Sequence, residues 1–242
     1  MEDFSEFVGL SRPTVSKYFS DPSSVRPKTR ELIEAAIKQS GFRPNLFAVN
    51  LNRRRTTILG IIIPNQLDHF YMAMTKRLQS LAEQRGYLAI VLSSDGKPEL
   101  EKQAIETLRS LNVAGAIIAP LGEESQHSTL ARLAEDVPIV YVDSPLDNTS
   151  PFVGTDNLKS FHLIVDYLCR SGSEPCYFSM PMVNNNAIKR QDAYRQAMEK
   201  LGYEPRIIDL EQSRSWDFER YAFEQTARIL REKGRLPTST VL

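Results

Sequence analysis

The N-terminal part of the chain carries apolar residues at helical spacing, broken by a short polar interruption. Phe4, Phe7 and Val8 fall on one face of a predicted first helix, and Gly9 suits the left-handed residue that ends a helix. Ser11 then stands at the N-cap of a second predicted helix, where its hydroxyl can accept a backbone N–H. The pattern therefore predicts two short helices joined by a tight turn.

The second predicted helix has one apolar and one polar face. Val15, Tyr18 and Phe19 continue the apolar stripe, and Pro13 lies in the first turn, where its missing N–H costs nothing. The opposite face presents short or cationic donors: Arg12, Thr14, Ser16 and Lys17. Such side chains reach base edges and phosphates when a recognition helix lies in the major groove. The pattern favours a DNA-binding helix-turn-helix, although any small helical hairpin with a polar face shares part of it.

A third helix is predicted to begin at Pro27 and to end at Ser40 and Gly41. Its apolar face is predicted to cover the first two helices and consists of Leu32, Ile33, Ala36 and Ile37. Residues 42–52 then form a helix-capable linker, which ends in the positive cluster Arg53, Arg54 and Arg55.

Beyond the linker, continuous apolar runs alternate with amphipathic stretches. Strands are predicted over 58–64, 88–92, 114–119, 138–142, 175–180, 205–210 and 240–242, and helices over 70–85, 99–111, 125–135, 158–171, 187–201 and 218–233. Continuous apolar strands separated by helices are typical of parallel sheets that are buried on both faces. Ligands of such sheets bind at the carboxyl ends of the strands.

Composition and charge refine this division. The 242 residues, 41% of them hydrophobic, can form one small and one large domain. Residues 1–57 hold ten Lys or Arg and six Asp or Glu, whereas the remainder holds 20 and 24. A basic head on an acidic body suits local phosphate binding.

No apolar run approaches the roughly 20 residues of a membrane span, and no signal peptide is evident, so we expect a cytoplasmic protein, associated with the nucleoid when bound to DNA.

Motifs for catalysis, cofactors and metals do not stand out. The eleven glycines never come closer than the seven positions between Gly115 and Gly122, which excludes both the dinucleotide and the phosphate-loop patterns. Cys169 and Cys176 lack a Cys-x-x-Cys spacing and are predicted to be free, mostly buried thiols. The three histidines are widely spaced. We therefore expect no enzyme, no cofactor and no metal site.

Four linked motifs resemble one family. Gly-x-Ser-x-x-Thr-Val-Ser from Gly9, Val-x-x-x-Thr-Arg from Val25, Gly-Phe-x-Pro-Asn from Gly41 and Ala-x-x-Leu from Ala48 follow in this order. They resemble the DNA-binding headpiece and hinge of the LacI/GalR (lactose-repressor-like) transcription regulators. The resemblance implies an all-α helix-turn-helix headpiece over 1–42, a hinge over 43–57 and, over 58–242, an α/β two-lobed type I periplasmic-binding-protein-like core with parallel sheets. The lobes are expected over about 58–156 and 157–242.

The resemblance also implies DNA contacts. Base-reading positions of the family fall on Arg12, Pro13 and Lys17, and phosphate contacts on Thr14, Ser16 and Asn45. The implied DNA-binding set is Ser11, Arg12, Pro13, Thr14, Ser16, Lys17, Asn45, Leu51, Arg53 and Arg54. Leu51 matches the leucine that wedges into the minor groove and kinks the duplex, with an ordinary buried linker leucine as the alternative. The arginine cluster is expected to bind phosphate as a group, with a solvated linker run as the alternative.

The effector is expected in the cleft between the lobes. The implied residues are Asp68 and Phe70 after the first strand, Asp143 after the fourth, Arg190 in an Arg-x-x-Ala-aromatic stretch, and Trp216, the lone tryptophan. Carboxylates, a guanidinium and aromatic faces suit a polyol, so the effector is expected to be sugar-like. The alternatives are an ion pair of Arg190 with Asp192 or Glu199, a loop cap for Asp143 and core packing for Trp216.

Together these features predict a sequence-specific DNA-binding regulator, a repressor, that is controlled by a small-molecule effector and acts as a homodimer on double-stranded operator DNA. The alternative is a small-molecule-binding module without DNA activity, either a solute-binding protein or a truncated repressor that does not dimerise. Three departures from the family pattern stand out. The family's N-terminus usually has a few more residues before the position of Met1, Ala193 replaces the usual glycine, and the family core continues for roughly half a domain beyond the position of Leu242. We therefore expect a chain that is truncated at its C-terminus relative to the family, as a fragment or naturally.

Overall fold

The computed structural model describes residues 2–43, 56–147, 149–172, 174–179, 181, 183–208, 218–235 and 240–241. The chain forms two compact units, Met1–Thr57 and Ile58–Leu242. Each unit has buried apolar clusters of its own. Among the described residues, no helix is long and apolar enough to cross a membrane.

The described part of the first unit is helical. Its helices are α1 (Glu2–Val8), α2 (Arg12–Ser20) and α3 (Pro27–Ser40), with a short 3-10 helix at Pro22–Ser24. They enclose one small core, made of Phe4, Val8, Val15, Tyr18, Val25, Ile33 and Ala36. The ring of Phe42 stacks on that of Phe4 with 4.1 Å between centroids, so the segment after α3 packs on α1. This arrangement confirms the predicted helical headpiece.

Two predicted core residues of this unit are exposed. Phe7 is 54% exposed and Leu32 is 48% exposed, so their assignment to the buried faces was wrong. A core of three short helices needs only a narrow stripe from each. In α1 the stripe runs through Phe4 and Val8, which are four residues apart, and the neighbouring position Ser5 is buried in place of Phe7.

The first lobe of the second unit contains a parallel sheet. Its strands are β1 (Ile58–Ile63), β2 (Leu88–Ser93), β3 (Gly115–Ile118), β4 (Ile139–Val142) and β5 (Phe152–Val153), in the order β2-β1-β3-β4-β5. The helices between them are α4 (His69–Gln84), α5 (Pro98–Ser110) and α6 (His127–Asp136). These bounds agree closely with the predicted strands and helices.

The sheet of this lobe is buried on both faces. Ile58 and Ile62 of β1 pack in a cluster with residues of α5 and α6, whereas Ile61 and Ile63 pack in a second cluster with Tyr71 of α4. Successive side chains of a strand point to opposite faces, so a strand covered on both sides must be apolar throughout. β1 was predicted from a continuous apolar run, and the run is continuous because both faces of the strand are buried.

The second lobe contains a smaller parallel sheet. Its described strands are β6 (Cys176–Phe178), β7 (Arg206–Ile208) and β8 (Thr240–Val241), in the order β7-β6-β8. Its helices are α7 (Asn157–Arg170), α8 (Asn185–Lys200) and α9 (Phe218–Lys233). Together with the first lobe, these elements confirm the predicted two-lobed parallel α/β core. Cys169 and Cys176 are free thiols, and burial raises the pKa of each.

The strand β5 has no counterpart among the predicted elements. It is two residues long, both residues are exposed, and it pairs Phe152 with Tyr141 and Val153 with Val142 of β4. A strand of two exposed residues has no hydrophobic pattern in the sequence, so it is recognised only from its pairing with β4.

Candidate DNA-binding face and effector pocket

The turn between α1 and α2 is tight. Gly9 has a positive φ of 69°, and its N–H donates to the carbonyl of Glu6, while the N–H of Leu10 donates to the carbonyl of Ser5, each at 3.0 Å. Glycine adopts this left-handed conformation without steric cost. The geometry is the short helix–turn–helix connection that the sequence predicts.

The polar face of α2 is open to solvent. Arg12, Pro13 and Lys17 are exposed, and Thr14 and Ser16 are half-buried. Neither Arg12 nor Lys17 has an ion-pair partner within the described ranges. α2 therefore exposes two cations five residues apart, side chains of the kind that bind phosphates or base edges.

Ser11 occupies the predicted N-cap position but does not cap through its side chain. Its hydroxyl bonds with the hydroxyl of Thr14 at 2.8 Å and accepts no backbone N–H, so that part of the prediction was wrong. The cause is local. Pro13, the second residue of α2, has no N–H to donate, and the N–H of Thr14 is already bonded to the carbonyl oxygen of Ser11 at 2.9 Å.

The remaining predicted DNA contacts fall on residues whose structure is not described. These are Asn45, Leu51, Arg53 and Arg54, together with the neighbouring Arg55. The predicted effector residue Trp216 also lies outside the described residues.

The other four predicted effector residues meet at one pocket. Asp68, Phe70, Asp143 and Arg190 all line a pocket of about 180 Å³ at the carboxyl ends of β1 and β4 and the start of α8. Asp68 is the N-cap of α4, and its Oδ1 accepts the N–H of Phe70 at 2.7 Å and that of Tyr71 at 3.4 Å. This cap fixes the first turn of α4 at the pocket.

Asp143 is held by side chains from both lobes. Its Oδ2 accepts the hydroxyl of Tyr71 at 2.8 Å and the amide of Asn184 at 3.4 Å, and its Oδ1 accepts the amide of Asn186 at 2.8 Å. Burial, and then the charge of Asp143, raise the pKa of Tyr71 far above its usual range, so this hydroxyl remains a donor. Asp143 also has a positive φ of 65°, a conformation that Asp tolerates better than most residues. Asp143 thus joins β4 to the start of α8.

The network continues to Arg190. The Nε of Arg190 donates to Oδ1 of Asn157 at 3.1 Å, and the amide of Asn157 donates to Oδ1 of Asn186 at 3.0 Å. Asn157 and Asn186 are 6% and 4% exposed, so these bonds are shielded from water. Arg190 forms no ion pair with Asp192 or Glu199. Its two Nη groups bond to none of the described residues and remain available as a forked donor.

Four side chains of this network were not predicted from the sequence: Tyr71, Asn157, Asn184 and Asn186. The run of three asparagines before α8 was the one signal in the sequence. Asn184, Asn185 and Asn186 follow β6 where α8 begins, and Asn184 is the N-cap whose Oδ1 accepts the N–H of Asn186 at 3.0 Å. Asparagine favours helix N-caps, but the reach of Asn186 to Asp143 depends on the fold.

Comparisons with known proteins agree with both halves of the chain. Residues 1–45 match the family model of "bacterial regulatory proteins, lacI family", and residues 56–222 match "periplasmic binding proteins and sugar binding domain of LacI family". The HTH-type transcriptional regulator PtxS of Pseudomonas plecoglossicida is 30% identical over 174 residues, which are 71% of this chain and 51% of that protein. The HTH-type transcriptional regulator GntR of Escherichia coli is 24% identical over 89% of this chain and 65% of that protein.

Among solved structures, the lac repressor dimer bound to operator and the anti-inducer ONPF superposes with a TM-score of 0.80 at 24% identity. The match covers 98% of this chain and 71% of the repressor chain, and it supports the fold. Because the sugar-binding-domain model covers well over half of its residues, the chain belongs to the LacI family of bacterial regulatory proteins. It spans about half to two thirds of the length of the curated relatives described above.

Proposed function

We propose that this chain is a sequence-specific DNA-binding transcription regulator, a repressor, whose core binds a small sugar-like effector. The observation that carries the proposal is the combination, in one LacI-family chain, of an open cationic face on α2 and a polar pocket lined by Asp68, Asp143 and Arg190. The similar PtxS and GntR proteins are HTH-type transcriptional regulators.

The DNA contacts follow from the exposed face of α2. Arg12 and Lys17 donate to base edges, and Pro13 offers only an apolar contact, for which a thymine methyl is the natural partner. Thr14, Ser16 and Asn45 bind phosphates, and Ser11 belongs to the same DNA-binding set. Leu51 wedges into the minor groove, and Arg53 and Arg54 bind phosphate. A homodimer would present two such faces to a symmetric operator.

The pocket chemistry supports a sugar-like effector. Sugar hydroxyls both donate and accept, and the pocket offers carboxylates on one side and the free Nη groups of Arg190 on the other. Phe70, half exposed at the rim, provides a face for sugar C–H groups. Solved relatives of this fold include a regulator in complex with cellobiose and another in complex with fructose 1-phosphate.

The regulatory step is a population shift. An effector that bonds to Arg190 of one lobe and Asp68 of the other favours closed lobes, and closure changes the affinity of the headpieces for operator. On this proposal the protein is not an enzyme, because the pocket residues serve binding alone. A regulator of chromosomal genes acts in the cytoplasm, in association with the nucleoid when it is bound to DNA.

The competing proposal is a small-molecule-binding module without DNA activity. The two are separated by selecting bound duplexes from a random-sequence pool with the full chain and repeating the selection with Arg12→Ala. Enrichment of a symmetric motif by the parent supports the regulator, and failure to enrich any duplex above random supports the binding module.

The hinge leucine has its own test. Leu51→Ala should reduce operator bending and specific affinity, because unstacking a base step costs a few kcal/mol that only a bent interface recovers. Circular permutation of the selected site measures the bend, and equal bending by mutant and parent would assign Leu51 to the linker core.

The effector proposal is tested by thermal shift against a panel of neutral sugars, sugar acids and sugar phosphates, because a ligand that binds the native state stabilises it by mass action. A panel member that raises the melting temperature and changes operator affinity supports the effector. The absence of any shift across all three classes would overturn the sugar-like assignment.

A further inference from the structure

A buried carboxylate lies close to the effector pocket without lining it. Glu101, near the start of α5, is 0% exposed, and both of its oxygens are bonded. Oε1 accepts the hydroxyl of Ser125 at 2.9 Å and the N–H of Leu121 at 3.2 Å, and Oε2 accepts the N–H of Gln126 at 2.7 Å. One side chain thus holds both ends of the segment 121–126, which we call the 121–126 loop.

The surroundings of Glu101 shift its pKa upward. Burial raises the pKa of this carboxyl above its usual range, and the bonds from Gln126, Ser125 and Leu121 and the charge of His127 offset only part of that rise. Only a carboxylate presents acceptors to all of these donors at once. A glutamine of the same shape would turn one oxygen into a donor and place it against an N–H or a hydroxyl.

The 121–126 loop reaches the second lobe. Gly122 has a φ of +74°, and a Cβ built there would lie 3.4 Å from the carbonyl oxygen of Val183 and from Cα of Asn184. Leu121 shares a buried cluster with Tyr71 and Val142, against which Val183 packs. The loop therefore touches the segment that carries Asn184 and the core that carries Tyr71, and both of these side chains bond to Asp143.

We infer that Glu101 is a positioning residue for the effector pocket: it fixes the 121–126 loop against Val183 and Asn184 and so holds the donors of Asp143 in place. The inference rests on the proposed effector site for its functional meaning. In physical terms, a buried carboxylate of the first lobe stabilises the start of α8 in the second lobe through the 121–126 loop. Glu101 itself does not line the pocket.

The coupling can be measured by hydrogen–deuterium exchange of the full chain without ligand or DNA. Glu101→Gln should lower the protection of the Gln126 amide by about tenfold, the scale of a lost charge-assisted hydrogen bond. The Leu121 amide should lose less protection, because its N–H also donates to the hydroxyl oxygen of Ser125 at 2.7 Å. The same variant should also lower the protection of residues 184–187, where the N–H groups of Asn186 and Ala187 bond to Asn184. Glu99→Gln, an exposed carboxylate on the same helix, is the matched control and should change neither segment.

Each outcome is decisive. Loss of protection in both segments supports the inference, whereas loss confined to 121–126, or no loss in either, overturns it and leaves Glu101 a local loop anchor. Gly122→Ala is the second variant, because it leaves the Glu101 side chain unchanged while its Cβ crowds Val183 and Asn184 and its positive φ strains the 121–126 loop. It should expose 184–187 to exchange even when Glu101→Gln does not fold, and unchanged protection there would contradict the inference. A negative sugar panel would overturn the sugar-like assignment of the pocket and would leave these exchange results unchanged.

Discussion

The headpiece and the effector pocket present their polar groups in opposite ways. Arg12 and Lys17 are exposed on α2 and have no ion-pair partner among the described residues, and under the proposed function DNA would supply their partners. In the pocket, Asp143 and Asn186 are already bonded to each other and to further side chains. The difference teaches that headpiece contacts act independently, whereas the pocket acts as one network in which each residue depends on its neighbours.

The largest effect is expected where the network is densest. Asp143→Ala removes the acceptor of Tyr71, Asn184 and Asn186 at once and places Ala at a positive φ. Because buried donors without partners are costly, we expect a loss of about 2 to 3 kcal/mol in the free energy of unfolding of the core. Urea unfolding followed by circular dichroism measures it.

Asp143→Asn is the matched control for this change. Asparagine tolerates a positive φ and keeps one carbonyl oxygen, so the loss should be clearly smaller than for alanine. Equal losses for the two variants would mean that charge alone, and not the set of hydrogen bonds, stabilises the lobe contact.

The second largest effect is expected on effector binding. Arg190→Ala removes the free Nη donors and the bond to Asn157, so affinity for the sugar identified in the panel should fall at least about tenfold, the scale of a charge-assisted hydrogen bond. Operator affinity without effector should change little, because the substitution leaves the proposed DNA-contacting side chains of α2 unaltered. Isothermal titration and gel shift measure the two quantities.

Lys189→Ala is the control for that result, since Lys189 is the exposed neighbour of Arg190 on α8 and does not line the 180 Å³ pocket. It should retain full effector affinity. An Arg190→Ala protein that binds the sugar as tightly as the parent would remove Arg190 from the site.

The third effect is expected at the headpiece and should be confined to operator binding. Arg12→Ala is expected to cost about 1 to 3 kcal/mol in operator affinity and to relax specificity at one base position. Lys28→Ala, an exposed cation on α3 outside the predicted contact set, serves as the control. A uniform loss over all operator variants would instead identify Arg12 as a phosphate contact.

The same contrast explains what could be predicted from the sequence. Gly9, the stripe of Val15 and Tyr18, and the apolar run of β1 depend on neighbours along the chain, so their periodicity predicts the elements. Asp143 and Arg190 were placed at the pocket through the family resemblance. Their partners are sequence-distant: Tyr71 reaches Asp143 across 72 positions and Asn157 reaches Asn186 across 29, and no local pattern encodes such pairs.

The smallest effect is expected at Ser11, where the structure departs from the cap that its position suggests. N-cap serines that bond a backbone N–H contribute roughly 0.5 to 2 kcal/mol, but among the described residues the hydroxyl of Ser11 bonds only to Thr14. Ser11→Ala should therefore reduce the headpiece's free energy of unfolding by less than about 0.5 kcal/mol.

Asp21→Ala is the comparison within the same unit, because Asp21 accepts the N–H and the hydroxyl of Ser23 at 2.9 and 2.7 Å and should cost about 1 kcal/mol. Thermal unfolding of the two variants measures both losses. If Ser11→Ala proves as costly as Asp21→Ala, the serine hydroxyl caps α2 in solution, and the headpiece is more tightly bonded than the comparison with the pocket assumes.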